Sequence, residues 1–336
     1  QKFNLNKFVK ESNIFQELTK DSYGYKGYSG FQQAFIIFES LNKIINLIYA
    51  TSNYSIISYD LVNSKKINEI KNAHNDSIYN FKYYLDIQNK RDLVISIQRK
   101  DILKIWNMRD CQCIFKLENE NNTRFTIKAA ACLINDNNQL FLIHGIATIF
   151  NVYDIKGNKI REIDNYSGDI FFYIDNYYKK KASKNYIILC SKFMLKSYDF
   201  SKNKLYHEYH NMNYSNNNYM INDNDDNFIK LIVPCHDNII RIWDFDSGEL
   251  LREIKIITND KSLKCFYPWN NEYIVCAYEN NIINVINIQN GKIYKKFVGH
   301  KNYILNLQII SLPNIGDCLI SQGQGDDQIK LWNLNI

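Results

Sequence analysis

Histidine, serine and aspartate recur along this 336-residue chain in sets that invite a hydrolytic reading. His74 precedes Ser96, His210 precedes Asp237, and His300 precedes Asp326. In a hydrolase a histidine takes the proton of a serine hydroxyl while a carboxylate holds the ring in the right tautomer. Here each set is closed by a tryptophan, at Trp106, Trp243 and Trp332. A buried indole N–H needs an acceptor, so a Trp beside His, Ser and Asp is an internal hydrogen-bonding group before it is a catalytic one. No set adds the strained strand-to-helix turn that presents a nucleophile, and no glycine-rich phosphate loop occurs. His144, His207 and His236 do not stand at metal-ligand spacing, and Cys111 and Cys113 are too close together to form half of a zinc site. The expectation is no catalytic residue, no metal and no cofactor.

The elements that position these residues are short and repeated. An aromatic followed by Asp or Asn ends an apolar run at Tyr59-Asp60, Trp106-Asn107, Tyr153-Asp154, Tyr198-Asp199, Trp243-Asp244 and Trp332-Asn333, with a degenerate copy at Ile286-Asn287. The spacings are 47, 47, 45, 45, 43 and 46 residues, the period of a repeated four-strand sheet. After each of the first six markers comes a turn and a second β-run: Lys66–Ile70, Cys113–Leu117, Lys159–Ile163, Leu205–Tyr209, Leu250–Ile254 and Ile293–Phe297. These runs mix apolar with charged residues, as a strand with one wet edge does. Gly157, Gly248 and Gly291 sit in three of the intervening turns.

The last segment carries the repeat most fully. Gly299-His300 opens it, apolar runs follow from Tyr303 to Ile310 and at Cys318–Ser321, and Trp332-Asn333 closes it. This pattern resembles the WD-repeat β-propeller family. The resemblance implies an all-β fold, a seven-bladed β-propeller with four antiparallel strands per blade, whose third strands end near residues 59, 106, 153, 198, 243, 286 and 332. It covers residues 14–336, with 1–13 as a leader. Ile14–Lys20 is expected to complete the last blade as its outer strand, although the same spacing also accommodates a leader helix. The family's buried polar group is implied by His74, Ser96 and Trp106 in the second blade, by His210, Asp237 and Trp243 in the fifth, and by His300, Asp326 and Trp332 in the last. Gln322 and Val233 stand at the expected Ser position of the last and fifth blades, and Lys100 stands where the second should have Asp.

In that family partners dock on the loops beside the central channel. The positions matching them here are Asn75, Ser77, Arg99, His236, Glu279, Lys301 and Tyr303, a mixed-charge set suited to a peptide segment. Trp106-Asn107-Met108-Arg109 resembles the element through which propeller substrate receptors meet the adaptor of a cullin-RING ubiquitin ligase, with Arg109 as the contact.

Composition narrows the remainder. Hydrophobic residues make up 46% and aromatics 14%, enough for an extended core, and with only 12 Gly and 3 Pro the turns must rest on Asn and Asp. A net charge of +6 is mild for this length, and no basic helix or nucleic-acid motif accompanies it. No apolar run is long enough to span a bilayer. Eight scattered Cys suit a reducing compartment, cytoplasmic or nuclear. The function expected is a non-catalytic protein-interaction scaffold, a module of a larger protein such as one bearing a kinase or ligase domain. Its partners would be proteins or peptide segments, not nucleic acid. The alternatives are the ubiquitin-ligase receptor and an enzyme built on the His/Asp sets.

Overall fold

The computed structural model describes residues 35–51, 53–63, 65–76, 78–98, 102–118, 130–146, 149–163, 171–191, 194–210, 220–225, 228–235, 237–258, 263–313, 316–323 and 329–334. Among these residues it is all-β apart from one 3-10 turn at Lys180–Ala182. Seven antiparallel sheets follow one another in chain order, as blades of a β-propeller: residues 35–70, 78–117, 130–163, 171–209, 220–255, 263–298 and 304–333. The first six have four strands each in simple up-and-down order, and the seventh has three among the described residues. The leader and the closing strand expected at 14–20 lie outside the described residues.

All seven markers fall at the same place. Tyr59, Trp106, Tyr153, Tyr198, Trp243, Ile286 and Trp332 are each the penultimate residue of the third strand of their blade. The residue after the aromatic explains itself by turn chemistry. The Asp60 carboxylate accepts from Val62 N and Asn63 N, Asp154 from Lys156 N and Asn158 N, and Asp244 from Asp246 N and Ser247 N. Asn287 does the same for Gln289 N and Asn290 N, and Asn107 for Arg109 N. An Asx side chain at this position closes the turn that leads to the outer strand.

One regular feature escaped the sequence reading. In blades one to five the register between third and fourth strands slips just before the marker aromatic, so that Ile67, Ile114, Ile160, Tyr206 and Leu251 are extra residues on the outer strand. A bulge of this kind bends the outer strand and sharpens its twist. It also turns Ile67, Ile160 and Leu251 outward, where they are exposed.

The chain divides into two compact units. One comprises 1–121, 277–282 and 298–336, and so holds blades one, two and seven; the other comprises 122–276 and 283–297, with blades three to five and most of six. Within each unit the cores lie between neighbouring blades. In the first, Phe38, Ile48 and Ile56 of blade one meet Phe81, Val94 and Trp106 of blade two, while Phe35, Leu47 and Tyr59 meet Cys318 and Ile320 of blade seven. In the second, Cys132, Ile143 and Val152 of blade three meet Ile174, Ile187 and Tyr198 of blade four. Inner strands covered on both faces read as continuous apolar runs, as Ile45–Ala50 does, whereas outer strands such as Lys65–Ile70 keep charged residues toward water.

Candidate functional site

Two blades of the first unit contain the polar chain in hydrogen-bonded form. In blade two, His74 Nε2 lies 2.6 Å from Ser96 Oγ, and Trp106 Nε1 donates to the same oxygen at 2.8 Å. His74 Nδ1 faces Gln98 Oε1 at 2.9 Å, and that amide oxygen also accepts Asn75 N at 3.3 Å. One assignment satisfies every atom. Nδ1–H donates to Gln98, Ser96 donates its proton to Nε2, and the indole donates to Ser96. The ring is then neutral, in agreement with a pKa pushed down to about 4 by burial. Gln98, two residues beyond Ser96, does the work expected of an Asp near Lys100; residues 99–101 lie outside the described set.

Blade seven repeats the arrangement with a correction. His300 Nε2 is 2.6 Å from Ser321 Oγ, and Trp332 Nε1 donates to Ser321 Oγ at 2.7 Å. The serine is thus Ser321, not a replacement by Gln322. Ser321 pairs with Lys330 across the sheet as Ser96 pairs with Lys104, but the intervening hairpin is one residue longer, so counting back from the tryptophan lands one position late. Asp326 lies outside the described residues.

Both blades contain a further member that sequence reasoning missed. Lys104 Nζ donates to Ala73 O at 2.5 Å and lies 5.4 Å from the Trp106 ring centroid; Lys330 Nζ donates to Gly299 O at 2.5 Å. Each lysine stands two residues before its tryptophan and reaches the carbonyl just before its histidine. The shared Lys-x-Trp spacing was the available signal. Gly299 is required here, because a Cβ would sit 2.9 Å from the Trp332 ring.

Blade five does not form the group. His210 lies at the exposed end of the fourth blade's outer strand, 3.4 Å from Glu208. Asp237 is taken by Arg241 at 2.7 Å, and Arg241 also bonds Glu253 at 2.8 Å. Arg241 occupies the position of the lysine in Lys-x-Trp, two residues before Trp243, and its guanidinium holds the carboxylate that was expected to meet a histidine. Trp243 is buried instead against Tyr209 of blade four, ring centroids 6.1 Å apart.

Of the residues expected to meet partners, Ser77, Arg99 and His236 lie outside the described residues. Asn75, Glu279 and Lys301 are exposed and Tyr303 is half-buried. Asn281 Nδ2 donates to Lys301 O at 2.8 Å, which ties the turn bearing Glu279 to the loop bearing Lys301. An acidic and a basic residue therefore stand on adjoining loops, beside the buried His300. Arg109 is exposed in the turn that Asn107 closes, with its backbone N–H 3.2 Å from Asn107 Oδ1.

No protein-family model matches the chain. Over 86 residues it is 26% identical to Nuclear distribution protein PAC1 of Komagataella phaffii, a match that takes in 25% of this chain and 17% of that protein. The crystal structure of the computationally designed Ika8 protein superposes with a TM-score of 0.59 over 94% of this chain and 99% of that one, at 12% identity, a likeness of fold alone. Six four-strand sheets and a seventh with three strands among the described residues follow one another, and two of the seven close a His–Ser–Trp chain. The fold is a β-propeller, and its repeats resemble the WD type. In this β-propeller the polar group ties strands together within its blade, since Ser96 and Ser321 are fully buried and each is bonded to both its histidine and its tryptophan. A serine so placed has no free path to a substrate. Among the described residues no group of His, Cys, Asp and Glu could hold a metal ion, and no helix is long and apolar enough to cross a membrane.

Proposed function

We propose that this propeller is a non-catalytic platform for proteins or peptide segments. A β-propeller with WD-type repeats fits a protein-interaction scaffold, and one observation carries the reading further. His74, Ser96, His300 and Ser321 are committed to holding the sheets, while charged residues stand exposed on the adjoining loops of Glu279 and Lys301. Rigid sheets presenting variable loops are the usual arrangement for recognition without chemistry. The test is affinity capture with wild type against Glu279→Lys and Lys301→Glu. Loss of specific partners in both variants, with unchanged melting, supports the reading. Retention of every partner by the double variant overturns this face as the platform.

A second reading has Arg109 as its support. The chain would serve as a substrate receptor that meets a ligase adaptor through this exposed arginine. Equal adaptor recovery by Arg109→Ala and wild type would end it. Catalysis, on either reading, would come from another domain of a longer polypeptide, which the complete transcript would reveal. All eight cysteines are free thiols. A reducing location, cytoplasmic or nuclear, is the corresponding proposal, and microscopy of the tagged protein tests it.

A further inference from the structure

Within the first unit a groove of about 410 Å³ opens between blades one and two. Its apolar side is formed by Phe38, Leu41, Ile67 and Met108, and Lys90 and Arg109 stand at its edge. Leu41 and Ile67 are large apolar side chains left more than a third exposed, and Ile67 is the bulged residue of its outer strand.

Much of the polar lining is already engaged within the protein. Ser40 Oγ donates to Ile44 O at 3.1 Å, Asn46 Nδ2 donates to Ile44 O at 3.0 Å, and Ser58 Oγ donates to Asn46 Oδ1 at 3.3 Å. The one carboxylate of the groove, Asp92, is likewise occupied. It accepts Leu41 N at 3.0 Å and the Tyr83 hydroxyl at 2.7 Å, which pins the blade-one loop to blade two. Phe38 stacks on Tyr83 at 3.8 Å behind it, so the floor is rigid. What remains for a ligand is exposed apolar surface, the amides of Asn42 and Asn68, and two cationic side chains with no carboxylate partner among the described residues. A groove of this volume accepts one or two large side chains.

We propose that this groove binds an acidic peptide segment carrying an apolar anchor, a leucine or phenylalanine flanked by Asp or Glu. The anchor would lie on Leu41, Ile67 and Met108, and the flanking carboxylates would pair with Lys90 and Arg109. Arg109 presents a planar fork that takes a carboxylate in two parallel bonds, which gives direction as well as attraction. The proposal deepens the scaffold reading and rests on it, but it uses a surface distinct from the loops of Glu279 and Lys301.

The test is fluorescence anisotropy with the full chain and a labelled Asp-Glu-Leu-Phe-Asp-Glu peptide. Two control peptides replace the acids by Lys or the Leu-Phe pair by Ala-Ala. Wild type is expected to bind the first peptide alone, more weakly as salt rises. Arg109→Glu and Lys90→Glu should each weaken it by about tenfold or more, as reversal of a charge beside a carboxylate does. Ile67→Asp should abolish binding, with circular dichroism melting used to show that each variant is folded. Lys301→Glu should leave it unchanged. Equal binding of the acidic and lysine peptides, or of wild type and Arg109→Glu, overturns the groove. Absence of peptide binding alongside partner capture through Lys301 overturns the groove and leaves the scaffold reading standing. Peptide binding without any captured partner supports the groove and counts against the loop face.

Discussion

Both units carry polar contacts between blades, but among the described residues only the first adds closed groups within a blade. In the first, blades two and seven each fasten their own strands from within, through His74–Ser96–Trp106 and His300–Ser321–Trp332, with a lysine drawing in the leading loop. In the second, the polar contacts run from one blade to the next. Tyr209 of blade four donates its hydroxyl to Phe245 O of blade five at 3.1 Å, and His207 Nε2 lies 2.6 Å from Asp246 O. Lys179 pairs with the Asp246 carboxylate at 2.6 Å, and Tyr177, Tyr186 and Tyr206 pack their rings around Phe245. Between blades three and four, Arg161 lies over the Phe200 ring at 4.3 Å and bonds Phe200 O. Where the internal group is not formed, outer-strand side chains hold the turn after the neighbouring marker. The repeat therefore tolerates loss of its signature provided each buried donor finds another acceptor.

The most disruptive way to probe the difference is Tyr209→Ala, which empties a fully buried ring site and should cost about 3–5 kcal/mol in chemical denaturation. A loss comparable to a surface substitution would show that the clasp between blades four and five is ornamental. Tyr209→Phe separates the hydroxyl from the ring, and its smaller loss should come from leaving Phe245 O unpaired.

Acid should act on both units through buried histidines. His74 and His144 are held at about 4, below the ordinary 6.5, by burial. A histidine that is neutral when folded and protonated when unfolded gives stability that is complete above its ordinary pKa. That stability drains away as pH falls from about 6.5 to about 4, and no more is lost from these groups below that. Each contributes about 1.4 kcal/mol per pH unit in that window, about 3 kcal/mol in all. His144→Leu should lower the slope, and His144 Nε2 has no partner among the described residues. An unchanged slope would show that this ring is protonated in the native state.

Within the first unit, Ser96→Ala and Ser321→Ala should each cost about 1–3 kcal/mol, because a histidine and a tryptophan lose a shared partner inside the sheet. Gln322→Ala should cost less than Ser321→Ala. The reverse order would restore the register expected from spacing. The smallest effect belongs to the rim of the second unit, where Lys179→Ala removes a half-exposed ion pair worth less than about 1 kcal/mol. A larger loss would mean that the Asp246 cluster acts as one network.

The repeat and its strands were legible because their causes are local. An aromatic before an Asx residue ends a strand wherever it stands, since the Asx side chain closes the next turn with its own backbone. That holds even for Ile286-Asn287, where the aromatic is gone but Asn287 still caps the turn. Outer strands could be placed to within a residue or so by their mixture of charge and apolar surface. The bulge before the marker in blades one to five left no such trace, because it depends on how two strands twist against one another.

Sequence alone decided the number of blades, their order and the ends of their third strands. Tertiary structure alone decided who bonds whom. Ser321 rather than Gln322, Gln98 in the place of an acid, and Arg241 claiming Asp237 all depend on the length of a hairpin or the reach of a neighbouring side chain. The same is true of the groove beside Arg109, whose walls come from two blades and whose single carboxylate is already spent on the protein itself. Periodicity is written along the chain, whereas partnership is settled in space by side chains that the chain brings together only after it folds.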